Sequence, residues 1–263
     1  MSKEMTKHER NMDRIARMRL LDDGFMKKVF EDKDCTQLLL QVIMGKTDLT
    51  VESVQTEYTV KNLQGRGARL DVYASDSKGV LYNVEVQRED KGAVPKRARY
   101  NSSLLDANVT EPGDEYEKLP ESYVIFITEK DVLCHNEQIY CFERICREHD
   151  LRLNDGSHII YVNAAKQNAT PIGQLMWDFS CTKAEDMHYG VLAERVRYFK
   201  EDKEGISKMC KIWEEVLEEG KIETAKRMIA KGKMSLEDIA EYSDLPIKKI
   251  QELAKECQQV LAN

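Results

Sequence analysis

No stretch of the 263-residue chain approaches the roughly 20 consecutive apolar residues that a membrane-spanning helix needs. The first residues, MSKEMTKHERNMDRIARMRL, lack the apolar run of a secretory signal, so the expected location is the cytoplasm, with no membrane partner. The seven cysteines have no framework spacing and are odd in number, which points to free thiols in a reducing compartment. Cys134, Cys141 and Cys146, with His135 and His149, do not form a tight C-x₂-C pair. Structural cysteines are therefore the first reading there, and a small metal or redox centre ranks well behind. Net positive charge is also lacking. The formal charge is −7, which argues against a protein that holds phosphates over its whole surface. No internal repeat or low-complexity segment is present.

What the chain does have is material for a core, 41% apolar residues, under a surface rich in charge, with 33% charged residues. Residues 1–20 read as a charged arm or short helix. Residues 21–44 show two apolar stripes, Phe25, Val29 and Phe30, then Leu38, Leu39, Val42 and Ile43, with a break near Asp32 to Asp34. TVESVQTEYTV at 50–60 reads as a strand and NLQGRG as a turn. Two more strands follow, then a helix over 92–109, a loop at PGDEYEKLP and a buried strand, YVIFIT. The spacing predicts a helix over 137–149 and a strand at HIIYVN. From about residue 183 only helices are expected. Ser235 is the expected N-cap of one and Asp244 of the next, with Pro246 in its first turn.

The stretch RLDVYASDSKGVLYNVEVQ, residues 69–87, carries the chemistry. Leu70, Val72, Ala74, Val80, Tyr82, Val84 and Val86 share one parity and hence one apolar face of a hairpin. Arg69, Asp71, Tyr73, Leu81, Asn83, Glu85 and Gln87 share the other. Asp71 and Glu85 therefore converge on one face whatever the exact register. Glu85 and Gln87 lie about 6.6 Å apart along their strand. Two converging carboxylates repel unless a cation lies between them. A hard dication such as Mg²⁺ fits, since it takes one or two carboxylates plus water and phosphate oxygens. Ordinary acids on a solvent-facing strand are the alternative.

The acids at this spacing resemble the D-x(n)-E-x-K pattern of the PD-(D/E)XK nuclease superfamily, with Gln87 in place of the usual Lys. DDGFMKKVFED, RLDVYASDSKGVLYNVEVQRED and PKRARYNSSLLDANVTEPGDEYEKLPESYVIFIT further resemble the PD-(D/E)XK nuclease family transposases, also called recombination-promoting nucleases. The agreement spans about residues 22 to 145. The resemblance implies an α/β fold, a restriction-endonuclease-like core of mixed sheet flanked by helices over 21–182. A helical C-terminal region, 183–263, would follow.

It also implies a metal-dependent DNA endonuclease linked to recombination, mobile elements or defence. By that likeness Asp71 and Glu85 would ligate Mg²⁺, with Mn²⁺ as an alternative ion. The Val86 carbonyl and Asp23 would be further metal contacts, with Glu31 competing with Asp23. Gln87 would orient the attacking water or touch the scissile phosphate, but as a neutral group it supplies no charge. Arg69, Arg97 or Arg99 would then be the source of charge. Arg69, Lys96, Arg97, Arg99 and Tyr100 would meet DNA, as part of basic groups that also include Lys61, Arg66 and Lys91. Residues 222–257 loosely resemble a helix-turn-helix, with Lys248 and Lys249 toward DNA; dimerisation is the competing use. A homodimer would serve double-strand cutting. A catalytically silent DNA-binding protein on the same core is the alternative function, because Gln87 departs from the pattern.

Overall fold

The computed structural model describes residues 6–62, 65–88 and 92–262; Lys91 lies outside them. Contacts divide the chain into two units, residues 1–206 and 207–263.

The first unit begins with helix α1 (Lys7–Arg17), whose N-terminus is closed by a reciprocal capping box between Thr6 and Glu9. Helices α2 (Asp23–Phe30) and α3 (Lys33–Met44) follow. The break expected near Asp32 is an N-cap: the Asp32 carboxylate accepts from the N–H groups of Asp34 and Cys35. Strands β1 (Val51–Val60), β2 (Ala68–Asp76) and β3 (Leu81–Gln87) then lead to helix α4 (Pro95–Val109). Strand β4 (Ser122–Thr128) precedes β5 (Ile139–Phe142), β6 (Ile145–Cys146), β7 (Leu151–Arg152) and β8 (Ser157–Asn163). Helices α5 (Pro171–Ser180) and α6 (Gly190–Glu201) complete the unit.

Six strands form one mixed sheet in the order β1-β2-β3-β4-β8-β5, and β6 pairs separately with β7. β1, β2 and β3 pair antiparallel, whereas β3, β4 and β8 run parallel. Every residue of β4 is buried, as a strand covered on both faces requires. On one face, Ala98, Leu104 and Leu105 of α4 pack with Val124, Phe126 and Tyr161. α2, α3, α5 and α6 bury Phe25, Phe30, Leu39, Leu175, Phe179 and Phe199, and Phe30 stacks on Phe179 at 5.7 Å. The fold is thus the mixed sheet flanked by helices, with C-terminal helices, that the sequence led us to expect.

Two local readings are corrected. Residues 137–149 are not a helix: β5 pairs antiparallel with β8, placing Ile139 beside Val162 and Cys141 beside Ile160. Cys134 and Asn136, just upstream, have left-handed backbones that no α-helix accommodates. The Asp131 carboxylate gathers the N–H groups of Leu133, Cys134 and Asn136 and the Tyr140 hydroxyl, fixing that turn. The exposed edge of β8 then gains a partner strand, and that pairing outweighs the local helical spacing.

The second unit holds most of the 29-residue α7 (Lys203–Lys231), with α8 (Leu236–Ser243) and α9 (Ile247–Ala262). Ala225, Ile239, Leu245, Ile250 and Leu253 form its own core. Ser235 caps α8 in a capping box with Asp238, as expected. Asp244 is not an N-cap; it ends α8 in the left-handed conformation at φ 53°, a role Asp tolerates. The next helix starts on Pro246, whose carbonyl accepts from Ile250.

Candidate active site

The hairpin explains where the acids go. Val72 pairs with Val84, Tyr73 with Asn83 and Ala74 with Tyr82, so side chains of equal parity share a face. Paired residues of β2 and β3 stop at Val72 and Val84. Beyond them β2 continues along β1 to Ala68, and β3 continues along β4 to Gln87. The sheet therefore opens into a fork, and the same register brings Asp71 opposite Glu85 at its crotch. One hydrogen bond spans the gap there: the Val86 N–H donates to Asp71 Oδ2 at 3.3 Å.

Neither acid faces solvent. Asp71 is 8% exposed and Glu85 is fully buried, which rules out ordinary surface acids. The fork instead lets two helices reach them from different directions. From α2, the Lys27 ammonium lies 3.5 Å from Asp71, 2.9 Å from Asp23 and 3.4 Å from Glu57. From α4, the Arg97 guanidinium pairs with Glu85, donates to the Gly92 carbonyl at 3.2 Å and covers the Phe126 ring. Asn101, one turn further along α4, donates to Glu85 at 3.4 Å. Glu57 holds a left-handed backbone, φ 56°, inside β1, between Thr56 and Tyr58, which pair with Val72 and Leu70 on either side of Asp71. A non-glycine residue pays for that conformation in steric strain, here at the acid cluster itself.

Burial sets the electrostatics. It pushes the Glu85 carboxyl up, the Asp71 charge pushes it further, and Arg97 only partly opposes them, leaving it at about 7. Burial likewise raises Asp71; Lys27 lowers it, Asp23 raises it, and the Val86 N–H and Arg97 lower it. Burial alone would lower Lys27, but the hydrogen bond it donates to Asp23 and the charges of Asp71, Asp23 and Glu57 leave it raised. The fork is thus a place where negative charge is costly and a cation relieves the cost.

The other residues expected from sequence are spread around the acid pair. Gln87 ends β3, half-buried, with its carboxamide against Gly92, where a Cβ would meet it. Arg69 is exposed and pairs with Glu57 at the rim. Lys96 and Arg99 are exposed on α4. Tyr100 lies off the acid pair: its hydroxyl donates to the Arg66 carbonyl and accepts from Asn62, tying α4 to the β1–β2 connection. Glu31 pairs with Lys28 and accepts from Thr56, whereas Asp23 is joined to the acid cluster through Lys27. Lys27, Glu57 and Asn101 were missed. The one usable signal was the spacing of Asp23 and Lys27, four residues apart on a helix face.

Among the described residues, no three His, Cys, Asp or Glu side chains form a ready cage for a metal. Asp71 and Glu85 are instead a two-carboxylate set of the kind that suits Mg²⁺, whose remaining ligands are water and phosphate. The buried, mutually repelling acids fit such an ion.

A family model described as PD-(D/E)XK nuclease family transposase matches residues 20–243, spanning α2 through the end of α8. No curated protein and no solved structure matches the chain.

Proposed function

The chain belongs to the PD-(D/E)XK nuclease family transposases, a nuclease family, and we propose that it is a divalent-metal-dependent DNA endonuclease with its centre at the fork. One observation carries this reading: two buried carboxylates, Asp71 and Glu85, stand opposite each other where the pairing of β2 with β3 ends, and burial raises the pKa of both. Asp71 and Glu85 would hold the ion, with Mg²⁺ the preferred ion and Mn²⁺ a substitute. Asp23 and the Val86 carbonyl would be the supplementary donors. The bound ion would supply an acidified water and charge neutralisation at a phosphate oxygen.

The chain's own groups do the rest. Arg97 and Asn101 fix the Glu85 carboxylate from α4, so it meets an ion already oriented. The Val86 N–H fixes Asp71 in the same way. Gln87 offers a carboxamide that can accept from and donate to a water beside the phosphate. Lys96 and Arg99, exposed on the helix that carries Arg97, suit contacts to the DNA backbone away from the bond that is cut. DNA is the substrate this arrangement favours, in recombination, mobile-element or defence chemistry.

A silent DNA-binding protein is the second reading, supported by the neutral Gln87 at a place where charge is useful. Supercoiled plasmid separates the two. We expect nicking with Mg²⁺, none with EDTA, and none from Asp71→Ala or Glu85→Ala. Binding without cleavage, unchanged by both substitutions, would favour the silent protein.

A further inference from the structure

Cleaving a phosphodiester forms a bond from water oxygen to phosphorus and breaks the bond to one sugar oxygen. The water loses a proton and the departing oxygen gains one. Negative charge builds on the phosphoryl oxygens in between, and a fixed cation beside them lowers the barrier. Gln87 cannot be that cation. Three cationic side chains stand nearest the acids, and they differ in exposure and in the acid each one meets. Arg97 is held by Glu85 and the Gly92 carbonyl. Arg69 is 55% exposed and engaged with Glu57 at the rim. Lys27 alone is buried, its side chain 11% exposed, and it contacts Asp71 directly.

The surroundings of Lys27 are also telling. Its ammonium sits within hydrogen-bond or ion-pair distance of three carboxylates from three elements, Asp23 on α2, Glu57 on β1 and Asp71 on β2. Even with Arg69 on Glu57, three carboxylates outnumber the two cations and leave the cluster with a net negative field. An arriving dication would take over Asp71 and free the ammonium to turn, on its four-carbon stem, toward a phosphate.

We infer that Lys27 is the resident cation of this centre: it neutralises Asp71 in the free protein and becomes the catalytic positive charge at the phosphate that Gln87 lacks. The catalytic half rests on the nuclease reading above; the resident-cation half does not.

The test uses the full chain with Lys27→Met, Lys27→Arg and the double variant Lys27→Met/Gln87→Lys. Two quantities are measured: plasmid nicking with Mn²⁺, and Mn²⁺ affinity by titration calorimetry without DNA, with melting temperature confirming the fold. Lys27→Met should lower the maximal nicking rate about a hundredfold while changing the plasmid KM little. Lys27→Arg should retain part of the rate. Gln87→Lys in the Lys27→Met background should restore part of it, by returning the charge on the neighbouring strand. Lys27→Met should also bind Mn²⁺ about tenfold more tightly, because no ammonium competes for Asp71.

Wild-type nicking by folded Lys27→Met would overturn the catalytic role, as would a lost rate that the double variant does not restore. Unchanged or weaker Mn²⁺ binding by folded Lys27→Met would overturn the resident-cation role. If the wild-type chain never nicks DNA, the nuclease reading and the catalytic role fall together, and calorimetry still decides whether Lys27 is the resident cation. If Lys27→Met does not fold, Lys27→Gln carries the test: it removes the charge and keeps a polar tip, and a folded Lys27→Gln with wild-type nicking and wild-type Mn²⁺ affinity would overturn the inference.

Discussion

Glu85 and Gln87 sit two residues apart on one strand, and their environments set them apart more than their chemistry does. Glu85 is buried beside a second acid and an arginine, whereas Gln87 is half-buried at the end of β3 with its carboxamide against Gly92. The parity of RLDVYASDSKGVLYNVEVQ was enough to bring Asp71 and Glu85 to one face, because strand alternation is a local rule. Their burial was not legible, since the cover comes from α2 and α4, distant in sequence. Lys27 was illegible for the same reason: a lysine in DGFMKKVF looks like any helix lysine until β1 and β2 pack beside it. The Glu85 carboxyl gives a stability prediction. Its pKa is raised from 4.5 to about 7 on folding, so the folded protein holds the proton more tightly than the unfolded chain. The metal-free protein should therefore lose stability as pH rises from about 4.5 through 7, and not below that window. Melting temperatures across this range should show the loss in the wild type and much less of it in Glu85→Gln. Arg97→Ala should deepen it, because Glu85 then loses its countercharge.

Elements with a strong local pattern were legible: the three strands before α4, the all-buried β4, and the capped helices α3 and α8. The helix read over 137–149 failed where a tertiary need took over. β8 would otherwise be an open edge, and Ile139 to Phe142 supply the missing strand. The connection between α5 and α6 offers a prediction at this scale. Asp178, fully buried on α5, accepts from the N–H groups of His188 and Tyr189 at 2.7 and 2.9 Å and lies 3.2 Å from His188 Nδ1. Those amides lead into α6 and would lose their acceptor in Asp178→Ala. The expected cost is about 2–3 kcal/mol, read as a lower urea midpoint, with Asp178→Asn costing less.

At the scale of the whole chain, the change of character near residue 183 marks neither the end of the strands, which comes at Asn163, nor the place where contacts divide. α6 packs on α1, α2 and α3 and so belongs with the sheet, while the division falls at residue 206. Composition reports secondary structure, and only packing reports which helices share a core. The C-terminal unit has its own core around Ile239, Ile250 and Leu253. Ile250→Asp should therefore open residues 207–263 to limited proteolysis while the melting transition and plasmid nicking of the sheet-bearing unit persist. The account as a whole turns on whether the fork between β2 and β3 holds a catalytic dication. The most direct measurement is anomalous scattering from Mn²⁺ in crystals of the wild-type protein, paired with Asp71→Asn. The account predicts a peak in coordination contact with the Asp71 and Glu85 carboxylates, gone in Asp71→Asn. A nuclease that cuts DNA with Mn²⁺ bound elsewhere, and none at the fork, would contradict it.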